Sequence, residues 1–223
     1  MTTRTAHPYW PRSLPLPGYV AAALPGWQCA GAVGVAAAGL LALGWLLGGA
    51  RGGASRGHAH RLTLGWFLMC TGIHGVLEGF FSLRHRDLPH STGLLADVWK
   101  EYAKADSRYM TSDEFTVAME TVTAWTWGPL SFLTFLALLR RHPARYILQL
   151  IVSLGQLYGD VLYFATEALA GWTHSDPRPL YFWFYFVGLN GVWVLVPCAL
   201  LADSCRRLTA AQRALDRPRH KSH

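Results

Sequence analysis

A histidine and a glutamate lie four residues apart inside an apolar stretch of this chain. His74 and Glu78 fall within the run Leu62–Leu83, which is long enough to cross a bilayer as a helix. The four-residue spacing places both side chains on one face of that helix. Because each ionisable group in a membrane helix costs about 3 kcal/mol to insert, the pair predicts a functional site. The alternative is a pair that only hydrogen-bonds a neighbouring helix.

Other apolar stretches have polar side chains at similar depths. A rise of 1.5 Å per residue places Glu78 and Glu120 roughly 8 Å from the ends of their helices on one side of the membrane. His74 lies about one turn deeper, near roughly 14 Å, and so do two residues of later helices, Asp160 and Asn190. Three-residue spacing places Thr123 on the face of Glu120, and Trp193 on the face of Asn190. Four helices therefore contribute to one predicted intramembrane site.

This set of residues favours proton transfer over the other chemistries that it allows. A metal site is not favoured, because only one histidine lies at this depth and no HExxH motif is present. Nucleophilic catalysis lacks an activated Ser or Cys, and a proton-coupled transporter lacks an internal repeat. Carboxylic acids in a low dielectric tend to stay protonated, so they can protonate an alkene to a carbocation. The π face of Trp193 suits such a cation, although ordinary packing is the alternative for that residue alone.

The composition is that of a membrane protein. Hydrophobic residues make up 52% of the 223 residues and charged residues only 15%, against about 25% charged in soluble proteins. The net charge of +7 comes from basic residues in connections and the tail, which indicates membrane orientation and no nucleic-acid partner. The four cysteines have no paired spacing, so neither a disulfide framework nor a zinc site is predicted.

Five apolar runs predict an all-α, polytopic membrane protein with a five-transmembrane-helix bundle. We expect a proline-rich extramembrane arm over residues 1–27, the bundle over 28–201 and a basic cytosolic tail over 202–223. The spans are expected at Gln28–Leu47, Leu62–Leu83, a third run from a Ser112 cap to Leu139, Tyr146–Leu169 and Leu180–Leu201. Glycine pairs predict close helix approach at Gly44 and Gly48, at Gly75 and Gly79, and at Gly155 and Gly159.

Basic residues cluster in alternate connections of this scheme. The segments on one side contain Arg51, Arg56 and Arg61, then Arg140, Arg141 and Arg145, then Arg206, Arg207, Arg213, Arg217, Arg219 and Lys221. The positive-inside rule then places the C-terminus in the cytosol. The opposite side has a loop from Arg84 to Asp113 that is long for a plain connector, so it either caps a cavity or forms an ordinary solvated face.

Seven segments resemble the emopamil-binding protein family. They are His7–Pro11, Trp99–Lys104, Asp106–Tyr109, Phe115–Thr121, Trp127–Ser131, Gly159–Tyr163 and Pro179–Phe186. The resemblance runs from near the N-terminus into the fifth span. It implies a sterol isomerase that moves the ring-B double bond from the 8- to the 7-position without a cofactor, in the endoplasmic reticulum membrane.

The resemblance also implies roles for individual residues. Its catalytic residues fall on His74, Glu78 and Glu120, and its substrate-binding residues fall on Tyr109, Thr123, Asn190 and Trp193. Asp160 joins the substrate-binding set because of its depth in the fourth span. Expected partners are a sterol substrate, cationic amphiphilic inhibitors and membrane lipid, and a homodimer is left open. The wider family includes proteins that bind sterols or cationic drugs without catalysis, so a non-catalytic receptor is the alternative function.

Overall fold

The computed structural model describes residues 6–50 and 57–217, and five of the helices there are long and apolar enough to cross a membrane. These spans are Gly26–Ala50, His58–Arg84, Glu114–Leu139, Arg145–Leu169 and Leu180–Asp216. Between the second and third spans lie a short 3-10 turn, Leu88–His90, and two short helices, Leu94–Tyr102 and Arg108–Thr111. The predicted all-α fold with five spans is confirmed.

The fifth span continues well past its predicted end at Leu201. It reaches Asp216, so most of the segment predicted as a tail is helical, and residues 218–223 lie outside the described part. This segment is rich in alanine, leucine and arginine, which are good helix formers. Arg207 donates to the carboxylate of Asp203 one turn earlier, at 2.9 Å and 3.0 Å. Helix propensity therefore extends the span beyond its apolar part.

The third span begins one residue later than the Ser112 cap predicts. Asp113 is the N-cap, and its carboxylate accepts from the backbone N–H and the hydroxyl of Thr116 at 2.9 Å and 3.0 Å. Ser112 instead has a left-handed backbone with φ of 53°, and its hydroxyl donates to the carbonyl oxygen of His85 at 3.0 Å. Both side chains can cap a helix, and the turn geometry decides between them.

The first two spans pack closely at the predicted glycine notch. A Cβ atom added to Gly44 would lie 2.6 Å from the Cα of Gly65, and one added to Gly48 would lie 2.7 Å from Leu64 Cδ1. At Gly44 the neighbouring atoms belong to the backbone of the second span, so the absence of a side chain there permits the close approach of the two helices. The interpretation of Gly44 and Gly48 as a packing notch is confirmed.

Gly75 and Gly79 are not the residues that let a neighbouring helix approach, so that prediction is wrong. Within the described residues, a Cβ added to Gly75 would meet nothing closer than 4 Å, and one added to Gly79 would lie 3.9 Å from the His74 carbonyl oxygen. Both glycines instead line an open groove of about 310 Å³ between the second and third spans, beside Trp125. The close approach is made from the other side by Gly128, whose added Cβ would lie 3.4 Å from the Gly75 nitrogen and 3.5 Å from His74 Cβ.

The long loop and the N-terminal arm form one packed cover over the bundle. The carboxylate of Asp97 accepts from the backbone N–H groups of Ala23 and Leu24, both at 3.1 Å. Lys100 is 1% exposed, and its ammonium donates to the carbonyl oxygens of Val20 at 2.6 Å and Ser91 at 2.5 Å. Burial lowers the pKa of Lys100. Asp97 and Lys100 are buried and bonded, so this part of the loop is not the ordinary solvated face that one alternative predicts. That the loop caps a cavity stays a prediction.

Two apolar clusters stabilise the bundle at different depths. The cover cluster is mainly aromatic and includes Tyr9, Tyr19, Phe81, Trp99, Tyr109, Tyr163 and Phe186. The base cluster includes Leu64, Phe67, Cys70, Phe135, Leu138, Val152 and Leu200. Along the second span, His74 falls between Phe67 and Phe81. The third, fourth and fifth spans likewise place their polar residues between the two clusters, so the fold holds a polar layer inside an apolar bundle.

Candidate active site

The side chains of His74 and Glu78 contact each other directly. The Nδ1 atom of His74 lies 2.9 Å from each carboxylate oxygen of Glu78. His74 is 1% exposed and the Glu78 side chain 13% exposed. Both lie in a π-helical segment, Ile73–Glu78, whose wider turn still brings residues four apart together. The spacing argument is therefore correct for this pair, although the helix type differs from the one expected.

Glu120 receives its hydrogen bond from the cover. The Tyr109 hydroxyl, in the short helix Arg108–Thr111, donates to Glu120 Oε1 at 2.5 Å. Tyr109 is 2% and Glu120 6% exposed. Burial, followed by the nearby Glu120 carboxyl group, raises the pKa of Tyr109 well above its usual range. The phenol therefore remains a protonated donor that fixes the orientation of the Glu120 carboxyl group.

The two carboxyl groups lie on neighbouring spans that pack against each other. The second and third spans approach each other at this level because Gly128 packs against the backbone of Gly75 and the Cβ of His74. The structure thus brings His74, Glu78, Glu120 and Tyr109 into one region.

The fourth and fifth spans complete the wall of this region. The ring of Trp193 lies 6.3 Å from that of His74 and 5.5 Å from that of Trp66, measured between centroids. Asn190 accepts a hydrogen bond from the Tyr102 hydroxyl at 2.8 Å. Asp160 is 9% exposed, and its Oδ2 has no hydrogen-bond partner among residues 6–50 and 57–217. Trp193 thus borders His74, and Asn190 is bonded to a tyrosine of the cover. Asp160 lies one turn after Gln156 in the fourth span and offers a buried carboxylate oxygen.

Thr123 is the predicted residue that the structure connects least to the others. Its hydroxyl donates to the carbonyl oxygen of Met119, in its own helix, at 2.9 Å. It begins a π-helical segment, Thr123–Trp127, that ends two residues before Pro129. A third π-helical segment, Leu180–Leu189, directly precedes Asn190. Such segments are frequent at functional sites, and in this structure each lies at or beside the polar layer.

Two residues of the site escaped the predictions from sequence. Gln156 lies 2.9 Å from His74 Nε2 through its amide nitrogen, and Tyr102 contacts Asn190. Gln156 could have been included, because it lies one turn before Asp160 on the same face of the fourth span. Tyr102 could not, since nothing in the loop sequence reveals which tyrosine reaches the fifth span.

The arrangement suits the movement of protons in an apolar surrounding. Two carboxyl groups, each held by one defined donor, face the same region beside an indole ring. In the part of the chain that the structure describes, no group of three or more His, Cys, Asp or Glu residues is placed to ligate a metal ion. Carboxyl groups and an imidazole in this arrangement can act as general acids and bases.

Comparison with known proteins extends these observations. The EBP family model, described as EXPERA or expanded EBP superfamily, matches residues 94–204. The chain is 48% identical over 219 residues to a 3-beta-hydroxysteroid-Delta(8),Delta(7)-isomerase of Mus musculus, covering 97% of this chain and 95% of that protein. It is 35% identical over 211 residues to a probable isomerase of the same name from Arabidopsis thaliana, covering 94% and 92%. An isomeliandiol synthase of Melia azedarach is 38% identical over 149 residues, covering 65% and 68%.

Proposed function

The chain belongs to the expanded EBP superfamily and is a membrane-embedded sterol isomerase, and we propose that it acts by proton transfer through a carbocation. The double bond moves from the 8- to the 7-position of ring B, as the names of the relatives at 42–48% identity imply. The observation that supports the mechanism best is the convergence of two separately held carboxyl groups at one depth. Glu78 is bonded to His74 and Glu120 to Tyr109.

The reaction needs an acid and a base at nearby but distinct positions. The general acid adds a proton to the double bond. The electron pair of the double bond forms the new C–H bond, and the other carbon of the double bond becomes a carbocation. The general base removes a proton from the carbon on the far side of the cation, and the electron pair of that C–H bond forms the new double bond. We assign one of these two roles to the coupled His74–Glu78 pair and the other to Glu120.

The remaining residues of the layer are proposed to bind the sterol. Trp193 offers a π face beside His74, which suits a cation in a low dielectric. Oδ2 of Asp160, which has no hydrogen-bond partner within the part of the chain that the structure describes, is a buried acceptor that a sterol hydroxyl group would satisfy. Tyr109, Thr123 and Asn190 are assigned to the wall of the pocket. None of these steps requires a cofactor.

A non-catalytic receptor for sterols or cationic amphiphiles is the alternative function. Binding a cation needs only one carboxylate, whereas this site keeps His74, Glu78 and Glu120 together. Conversion of a sterol with an 8-position double bond by membranes containing the protein distinguishes the two. The isomerase yields the 7-position product, and a receptor returns the substrate unchanged.

Apolar amines are expected to inhibit this conversion competitively. A protonated amine resembles the carbocation beside a carboxylate, and intermediate-like ligands bind more tightly than substrates. The measurement compares an amine with its neutral isostere of the same shape in the membrane assay. We expect the amine to inhibit at concentrations at least tenfold lower, since the site interacts with its charge. Equal inhibition by the two compounds would contradict a cation-stabilising site.

We propose the endoplasmic reticulum membrane as the location, with the cover on the lumenal side and the C-terminus in the cytosol. The arm, the long loop and residues 170–179 share one face of the bundle. Arg12 lies 3.8 Å from Asp176, and the backbone N–H of Ser107 donates to the His174 carbonyl at 3.1 Å.

Of the basic residues that set the predicted orientation, four lie outside the described residues: Arg51, Arg56, Arg219 and Lys221. A homodimer stays a prediction.

Glycosylation mapping tests this orientation. An Asn-X-Ser acceptor inserted near Ser91 should be modified in microsomes, because that loop faces the lumen. An acceptor placed near Ser222 should remain unmodified. Modification of the tail acceptor alone would reverse the assigned orientation.

A further inference from the structure

Both ring nitrogens of His74 are engaged by protein side chains. Nδ1 lies 2.9 Å from each carboxylate oxygen of Glu78, and Nε2 lies 2.9 Å from the amide nitrogen of Gln156. The ring is 1% exposed and Gln156 is 5% exposed. Neither nitrogen is therefore directed at the space where a sterol would bind, so His74 must act through one of its two partners.

The two contacts of His74 agree on where its proton lies. A carboxylate only accepts hydrogen bonds, so Nδ1 beside Glu78 must carry the hydrogen. An amide nitrogen only donates, so Nε2 beside it must present its lone pair. A neutral imidazole with its hydrogen on Nδ1 satisfies both neighbours, whereas a hydrogen on Nε2 would point at the N–H₂ group of Gln156. The opposite orientation of the Gln156 amide would place its oxygen, which has no hydrogen-bond partner among the described residues, at Nε2 and would require a hydrogen there. The measurement of the tautomer given below distinguishes the two orientations.

We propose that Gln156 is a positioning residue that holds the proton of His74 on Nδ1, so that His74 serves Glu78 as a fixed hydrogen-bond donor. This inference rests on the proposed isomerase mechanism and adds a residue to it. Glu78, and not the imidazole, then exchanges protons with the sterol. The arrangement uses the logic of hydrolytic triads, in which a third side chain fixes the tautomer of a histidine.

The proton balance of the Glu78 step follows from this assignment. When Glu78 is the acid, its O–H bond breaks, the double bond supplies the electron pair of the new C–H bond, and a carboxylate remains. The Nδ1–H group of His74 donates to that carboxylate throughout and stabilises it. When Glu78 is the base, the electron pair of the sterol C–H bond forms the double bond and Glu78 gains the proton. In neither case does a proton need to reach Nε2.

Two substitutions of nearly equal size separate this role from simple packing. Gln156→Glu places an acceptor at Nε2, which favours the hydrogen on that nitrogen and opposes the Nδ1 tautomer. Gln156→Met removes the donor and imposes no tautomer. We expect turnover to fall by roughly a hundredfold or more in Gln156→Glu and by about tenfold in Gln156→Met, with KM changing little in either. Correct insertion and an unchanged gel-filtration profile are required of both variants.

The tautomer itself is measured by NMR of protein labelled with ¹⁵N-histidine. The chain has ten histidines, so His74→Gln identifies the signal of His74 by subtraction. Wild type should show a protonated Nδ1 and an unprotonated Nε2, and Gln156→Glu should show a protonated Nε2. A protonated Nε2 in wild type, or turnover of Gln156→Glu equal to or above that of Gln156→Met, would overturn the inference. Because the NMR signal does not depend on turnover, failure of the isomerase proposal alone would appear as absent conversion with the Nδ1 tautomer intact.

Discussion

Replacing Glu120 by glutamine is expected to lower turnover by roughly a hundredfold or more, the usual scale for loss of a general acid or base. The amide oxygen of glutamine can still accept the hydrogen bond that Tyr109 donates at 2.5 Å, so shape and orientation are preserved. Only the ability to gain and lose a proton disappears. Glu78→Gln should cause a loss of the same order, since His74 Nδ1 can still donate to the amide oxygen. Trp193→Phe should cost less, because a weaker π face remains.

The measurement is initial turnover in membranes that contain equal amounts of each variant. Glu114→Gln is the matched control, because Glu114 lies in the first turn of the same span as Glu120 and is exposed. It should retain wild-type turnover. Near-normal turnover of Glu120→Gln in correctly inserted protein would mean that Glu120 is structural and that another residue is the second proton-transfer group.

Replacing Arg108 by leucine is expected to destabilise the protein by about 3–5 kcal/mol, the cost of breaking a buried ion pair. Arg108 is 3% exposed and donates to Asp106 at 2.6 Å, and its Nε lies 3.6 Å from Glu167 Oε2. Both carboxylates are 0% exposed. Burial lowers the pKa of the Arg108 guanidinium, but its hydrogen bonds to Asp106 and the charge of Asp106 outweigh burial, so the pKa of Arg108 is raised. Without the guanidinium, the buried Asp106 carboxylate would lose its cation, and Glu167 would keep only the hydrogen bonds that it accepts from His174 and Ser175.

Thermal unfolding of the detergent-solubilised protein measures this loss. Arg207→Leu is the control, since its pair with Asp203 is partly solvated and should be worth at most about 1 kcal/mol. Arg108→Lys keeps the charge and loses the fork of hydrogen bonds, so its stability should lie between wild type and leucine. Equal stability of Arg108→Leu and Arg207→Leu would show that the ion pairs of Arg108 with Asp106 and Glu167 do not stabilise the cover.

The polar residues of the bundle could be predicted because the membrane makes them conspicuous. A histidine or glutamate within an apolar run has few structural explanations, so His74, Glu78 and Glu120 stand out in the sequence. The helix period then assigns the faces, and the rise per residue assigns the depths. The same argument places the five spans, since a bilayer admits few other structures for apolar runs of this length.

Contacts between distant segments could not be predicted in the same way. Nothing local distinguishes Asp97, Lys100 and Asp106, which are buried in the cover, from charges on a solvated loop. Gly75 and Gly128 both look like packing glycines, and only the tertiary arrangement shows which one approaches a neighbour. The helix period also assumes regular α-helix, so it misses the π-helical turns at the site.

The position of deuterium in the product tests the central claim most directly. Membranes containing the protein are incubated in deuterated water with a sterol that has an 8-position double bond. Protonation of the double bond followed by loss of a proton from C7 predicts the 7-position product with one deuterium at C9. The same sterol recovered with Glu120→Gln protein should remain largely unconverted. Product without deuterium at C9, formed at the wild-type rate, would contradict proton transfer from exchangeable side chains through a carbocation.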